Sequence, residues 1–284
     1  MKAPSRFARL GWIVSVCAVA AAVGLSGCTA PIGPGPPDGL TEDPPVSPAP
    51  ETPEEPGADD GHRPRAEQRI GIDFDSGSPG YVGESFAGAG IVHDAPAGYL
   101  DAHAWQILGF SDGDQRYGEE AVTGDFARGM STGGVGTGGL YAFVVEEDNV
   151  ALGVQPTASD FAPGSIALRV PITLDSVDEI ELAWTLWVYN DQNRSSAWTV
   201  AISADGETWV DLPEVSYYTG EAADETPQWL RNDFTVTIEV DGSGLAPDEW
   251  LHIRWSSADH SGTGGRDEAA IDDISVKLFG PTDA

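Results

Sequence analysis

The chain has 284 residues, with 46 Asp and Glu against 14 Lys and Arg, a formal charge of −32, and 40% hydrophobic residues. So large an acidic excess excludes nucleic acid as a partner, because phosphate recognition draws on Lys and Arg to release counterions. The apolar content excludes a wholly disordered acidic polymer, and 35 Gly with 21 Pro point to a turn-rich all-β chain, not a helical bundle.

Lys2, Arg6 and Arg9 precede an apolar run from Leu10 to Leu25. This is the layout of a secretory signal peptide, and the run is short for a membrane span. The junction Leu25-Ser26-Gly27-Cys28 resembles the lipobox of bacterial lipoproteins. That resemblance implies cleavage before Cys28, lipidation of Cys28, and an extracytoplasmic protein held to a bacterial cell membrane by a lipid anchor alone. An ordinary signal peptide cut nearby is the alternative. Once Cys17 is discarded and Cys28 acylated, the exported domain has no thiol left for a disulfide, a nucleophile or a metal. Its stability is then expected to come from core packing or bound ions.

The expected domains are a signal peptide at 1–27, a linker at 28–67 and a β-sandwich at 68–284. The linker carries Pro36-Pro37, Pro44-Pro45 and a spaced series from Pro48 to Pro56 among Gly, Asp and Glu. Such a segment reads as a disordered, semi-rigid spacer. From Gln68 onward, short β-type runs alternate with Gly and Asp clusters. Ile166 to Val170, Phe234 to Val240 and Leu251 to Trp255 alternate with period two, which predicts half-buried strands. Runs on either side of Ala204-Asp205-Gly206 predict a hairpin. The expected fold class is all-β, a two-sheet antiparallel β-sandwich of the jelly-roll kind.

Several motif matches fail in context. Gly129-Met130-Ser131-Thr132-Gly133 fits the serine-hydrolase elbow, and Gly134, Gly136 and Gly139 fit a dinucleotide fingerprint. Both patterns need a helix to follow, and more glycines and a strand-like run follow instead. Asp112-Gly113-Asp114 reads as a turn, since Arg116 takes a calcium-ligand position. The five histidines show no zinc spacing.

The stretch Ala269-Ala270-Ile271-Asp272-Asp273-Ile274 is similar to the closing strand of MAM-type, concanavalin-like jelly rolls. With Ile72-Asp73-Phe74-Asp75 and the segments around Arg128 and Ala151, the chain also resembles a β-sandwich of secreted and cell-surface bacterial proteins. MAM domains usually carry disulfides and this chain has none to offer, so the resemblance implies fold more than function.

Two candidate sites arise from the residues themselves. In an alternating strand Asp272 and Asp273 point to opposite faces, so one must meet the sandwich interior or its rim. A buried carboxylate there needs a cation, an arginine or amide donors. Pairing of the first and last strands would bring Asp73 or Asp75 near Asp272 and Asp273, an oxygen-rich set suited to a structural calcium ion. An Asp bonded to loop amides or to Arg266 is the alternative.

The second candidate is a binding face. Ile180, Leu182, Trp184, Leu186 and Val188 form the better core face of one strand, which leaves Trp187 and Tyr189 for an open sheet with Asn190, Asp191 and Arg194 at its end. Trp250, His252 and Arg254 alternate in the same way. Flat rings beside polar groups suit a sugar; a covering loop is the alternative. The function expected is a binding or adhesion module without chemistry of its own, for an extracellular carbohydrate, polymer or protein. A hydrolase with paired carboxylates, or a structural envelope protein of a salty habitat, stands beside it.

Overall fold

A computed structural model describes residues 65–240 and 245–281. The expected signal peptide, Cys28 and nearly all of the linker lie outside the described residues. The strands are β1 (Ala66–Ile72), β2 (Phe86–Val92), β3 (Gly98–Asp101), β4 (Trp105–Phe110), β5 (Gly113–Gln115), β6 (Met130–Ser131), β7 (Gly139–Glu146) and β8 (Asn149–Gln155). They continue as β9 (Gly164–Pro171), β10 (Glu179–Tyr189), β11 (Arg194–Ser203), β12 (Val210–Asp211), β13 (Tyr217–Tyr218), β14 (Trp229–Glu239), β15 (Trp250–Gly262) and β16 (Glu268–Gly280). No helix among the described residues is long and apolar enough to cross a membrane.

Two seven-stranded sheets make the jelly roll. The first runs β14-β10-β16-β8-β7-β6 with β1 also on β16, and the second runs β12-β11-β15-β9-β4-β5 with β13 also on β11. Pairing is antiparallel apart from β6 with β7 and a separate β2–β3 pair, both of which are parallel. The period-two segments at 166–170, 234–239 and 251–255 lie in β9, β14 and β15. Alternation decides which side chains meet between the sheets: Ile180, Leu182, Trp184, Leu186 and Val188 are all buried, as are Leu251, Ile253 and Trp255. Trp184 meets Trp255 edge-on across the sandwich with ring centres 6.2 Å apart. Each large apolar side chain so buried contributes about 1.5–3 kcal/mol.

The first and last strands do pair, with Ile72 opposite Ile274 and Ala66 opposite Gly280. β8 takes the same edge of β16 further along, with Leu152 opposite Ile271. The edge of β16 is therefore shared end to end, and Asp272 and Asp273 fall at the join. The β16 register against β10 slips there, between the Ala183–Ser275 and Thr185–Asp272 pairs, and Asp273 has a φ of 50°. This is a one-residue bulge with an Asp in the left-handed region that Asp tolerates.

Close packing on the outer side of the first sheet is tightest at Gly153. A Cβ there would stand 2.4 Å from the Phe143 ring and 2.7 Å from the Ala270 Cβ. Gly153→Val is expected to cost about 1–3 kcal/mol by overpacking, read in urea as a lower midpoint with an unchanged slope.

Candidate functional site

The outer face of the first sheet is not open. Trp187 is 1% exposed, contrary to the expectation of a free ring, and belongs to a second apolar cluster with Tyr141, Phe143, Val145, Ala151 and Ala270. The Arg231 guanidinium lies over it, 5.4 Å from the ring centre. The glycine-rich segment after β6 supplies the rest of the cover. The Trp229 indole donates to the Thr132 carbonyl at 2.9 Å, and the Val135 amide donates to Glu268 Oε1 at 2.6 Å. Gly133 is needed here: its φ is 104°, and a Cβ would come within 3.0 Å of the Tyr189 ring. Tyr189 is half-buried against Trp229, Asn190 is buried and donates to the Ala222 carbonyl, Asp191 is half-buried, and Arg194 pairs with Asp259 at 3.0 Å. These five residues do not present a common surface.

The acids at the β16 join separate into two kinds. The bulge corrects the expectation of opposite faces, because Asp272 is in register with Thr185 and Asp273 Oδ2 accepts from the Thr185 hydroxyl at 3.3 Å. Both therefore turn away from the inter-sheet core, where Ile271 and Ile274 point. Asp273 is exposed and also takes the Arg231 guanidinium at 2.9 Å. Asp73 is consumed by its own turn, with Oδ1 on the Asp75 amide at 2.7 Å and Oδ2 on the Ser76 hydroxyl at 2.8 Å.

Asp272 is different: it is 1% exposed, and neither of its carboxylate oxygens has a hydrogen bond of full geometry among the described residues, although the Asp273 amide and the Asn149 side chain lie close enough to lower its carboxyl in part. The Asn149 Oδ1 is buried and unpartnered as well. Burial first, then the charges of Asp273 and Asp75, push the Asp272 carboxyl up to about 7. Burial also raises Asp75, which accepts the Val150 amide and feels Asp73, Asp273 and Asp148. As they stand, no three histidine, cysteine or carboxylate side chains among the described residues are gathered closely enough to hold a metal ion. The orphaned oxygens of Asp272 and Asn149, with Asp75 beside them, nonetheless fit a hard cation that prefers oxygen ligands.

The outer face of the second sheet carries the open site. Trp250, His252 and Arg254 project from β15, and Arg169 projects from β9 directly opposite His252. The Arg169 guanidinium stacks on the Trp250 ring at 4.4 Å and on Tyr117 at 4.7 Å, and Arg254 stacks on Trp209 at 4.0 Å. Tyr117 and Trp209 both meet the His252 ring edge-on. A cavity of about 480 Å³ opens among them, lined by Gln106, Tyr117, Arg169, Asp205, Trp250 and His252 along with neighbouring turn residues. Burial, reinforced by the charge of Arg169, lowers His252 to about 4, so its ring is neutral at physiological pH. The Tyr117 hydroxyl, His252 Nδ1 and Arg254 Nε are buried without partners among the described residues. Sequence reading found Trp250, His252 and Arg254. It could have added Arg169, the polar member of an alternating strand, whereas Tyr117 and Trp209 arrive from turns.

Asp205 is the turn acid of the predicted hairpin, which forms with Ile202 opposite Val210. Burial works against its charge, but the Thr208 and Glu207 amides and the Ser203 hydroxyl hold it down at about 2. A further acidic group escaped sequence reading. Glu268 is fully buried beneath Val135, with Oε2 unpartnered; burial and the neighbouring Asp191 raise it to about 7. Asp267 is raised to about 6 by burial, against the Gln192 amide it accepts at 3.0 Å. Ser131 starts no helix, and its hydroxyl accepts the Gly133 amide at 3.1 Å. His93 and His103 do meet, with ring centres 4.7 Å apart, but the His93 nitrogens are engaged by Glu120 and the Gly118 carbonyl.

No protein-family model matches the chain, and no curated protein matches it. Among solved structures it is similar to a carbohydrate-binding module of the CBM28 class, described as specific for non-crystalline cellulose, at 15% identity over 70% of this chain and 97% of that one, with a TM-score of 0.34. It is also similar to the CBM22-1 and GH10 modules of Clostridium thermocellum endo-1,4-beta-D-xylanase 10B in complex with xylohexaose. There the identity is 13% over 63% of this chain and 27% of that one, with a TM-score of 0.29. Likeness at that level carries nothing about a ligand.

Proposed function

We propose that the protein is an extracytoplasmic binding module for carbohydrate, tethered to a bacterial cell membrane by a lipidated Cys28 and raised on its Pro-rich linker. Carbohydrate binds at the outer face of the second sheet, and a structural calcium ion held by Asp272 with Asp75 and Asn149 closes the β16 join. The observation that carries this reading is the cavity beside Trp250, where aromatic rings stand next to three buried polar atoms without partners. A sugar offers both complements: C–H faces to lie against a ring, and hydroxyls to satisfy polar atoms. Each unsatisfied buried group costs about 1–3 kcal/mol, which a ligand relieves.

Calorimetric titration of the protein with soluble oligosaccharides tests the reading. Trp250→Ala is expected to weaken binding at least about tenfold, the loss typical of an aromatic anchor, while leaving the fold intact by near-ultraviolet circular dichroism. Equal binding by wild type and variant would remove Trp250, and the site with it, from the function. Binding of a protein partner with no sugar bound would turn the same module to adhesion.

A further inference from the structure

We infer that the cavity on the second sheet selects a carboxylated sugar, a single uronate within an otherwise neutral glycan, gripped between Arg169 and Arg254. This rests on reading that cavity as a sugar site. The chain has 46 acidic residues against 14 Lys and Arg, so an arginine without an acidic partner is the exception to be explained. Arg65, Arg69, Arg116, Arg128, Arg194, Arg231, Arg266 and Lys277 all lie within 4.0 Å of a carboxylate oxygen. Arg169 and Arg254 are the two cationic side chains among the described residues that do not; Arg169 lines the cavity opposite His252, and Arg254 stands two residues along β15 from His252, beside it.

Aromatic rings, not ion pairs, hold them: Asp101 acts on Arg169 and Asp211 on Arg254 only through charge, without a salt bridge. Arg169 lies over both Trp250 and Tyr117, Arg254 lies over Trp209, and the charges of both reach the Tyr117 phenol. The polar atoms left over are weighted towards donors. Arg254 Nε has a hydrogen to give, and the buried Tyr117 hydroxyl has no acceptor for its own. A ligand that supplies acceptor oxygens with negative charge completes this set; guanidinium forks take a carboxylate with two parallel bonds.

The cavity also limits how much charge can enter. Asp205, Asp248 and Glu249 stand in its wall. The Asp205 Oδ1 is occupied by the Glu207 and Thr208 amides at 2.8 and 2.7 Å, and Glu249 Oε2 by the Ala246 amide at 3.1 Å, so neither is drawn in to neutralise the arginines. Their charges still repel a dense polyanion, as does the acidic surface beyond them. One carboxylate directed between the arginines, with hydroxyls facing the acids, satisfies both halves of the wall.

The test uses the full chain on a printed array of neutral oligosaccharides, the same oligosaccharides bearing one hexuronate, and polyuronates, followed by calorimetry on one hexuronate-bearing oligosaccharide and its carboxyl-reduced counterpart. The expected result is at least tenfold tighter binding of the acidic member. Arg169→Gln and Arg254→Gln should erase that preference, so that each variant binds the acidic sugar and its reduced counterpart alike. Arg254→Lys, which keeps the charge without the fork, should fall between them. The wild-type comparison of the two sugars stands whether or not any variant folds. Equal affinity for the pair, or strongest binding to polyuronate, overturns this inference and leaves the sugar site standing. Binding to no glycan of any kind overturns the sugar reading itself.

Discussion

Excess calcium should raise the melting temperature of the protein by about 5–10 °C, and a chelator should reverse the shift. Asp272 sets the sign and the size. Its carboxyl is buried, has no hydrogen bond of full geometry and is pushed up to about 7, so without a cation the fold holds it as a neutral acid at slightly acidic pH and as a costly, poorly compensated charge above that. A cation removes the cost. A hundredfold excess over the dissociation constant stabilises by about 2.7 kcal/mol, and about 2–4 °C per kcal/mol is expected for a domain of this size. Because the ligating form is the ionised one, the calcium shift should grow from pH 6 to pH 8, with proton release on binding at the lower value.

Asp272→Asn separates this from a general salt effect. The substitution removes the buried charge and keeps the shape, so the calcium-free variant should melt higher than the calcium-free wild type at pH 8, and should no longer respond to calcium. Asp73→Asn should leave the calcium response in place, since the Asp73 carboxylate is already closed into its own turn. Magnesium is the ionic control, because it demands a tighter and more regular shell. A wild type whose melting temperature is indifferent to calcium at both pH values would leave Asp272 as a buried acid that the fold tolerates protonated.

Much of this architecture was legible in the sequence because a strand repeats every two residues. The core face of β10, the alternation of β9, β14 and β15, and the pairing of first and last strands follow from that period and from the habits of jelly rolls. The two readings that gave way turn on tertiary detail. Trp187 stands on the outward face as expected, but its burial is decided by the glycine-rich segment folding back across the sheet, which depends on the positive φ of Gly133 and on contacts distant in sequence. Asp272 and Asp273 were assigned to opposite faces by strict alternation, and a one-residue bulge put them together. A signal for that bulge was present: Ile271 and Ile274 are three apart where an unbroken strand would place inward residues two or four apart. The open site was half legible for a similar reason. Its strand residues follow the period, while Tyr117 and Trp209 come from turns whose paths the local sequence does not specify.

Stability should fall as pH rises from about 4 to about 7 through Glu268 and Asp267, and Glu268→Gln should recover part of the loss. The folded protein raises these carboxyls to about 7 and about 6 from ordinary values of 4.5 and 3.8. Folded chains therefore bind more protons than unfolded ones across that interval, so the stabilisation is complete below about pH 4 and is lost as pH rises towards 7. His252 works in the opposite sense. Lowered to about 4, it favours the fold above its ordinary value near 6.5 and costs stability as pH falls through that range, so it opposes the carboxyls between about pH 4 and 6.5 and offsets part of their effect. Urea midpoints at fixed ionic strength, taken from pH 5 to pH 8 for wild type and Glu268→Gln, isolate the Glu268 share because every other group is common to both. Gln keeps the Oε1 that accepts the Val135 amide and cannot ionise. The variant should gain on wild type by on the order of 2 kcal/mol over that interval, with the curves nearest at pH 5, where wild-type Glu268 is itself protonated. Parallel curves would mean that Glu268 is already ionised at pH 5. The glycine-rich cover would then have to be open enough in solution to hydrate that carboxylate, and the same opening would expose Trp187 beneath it.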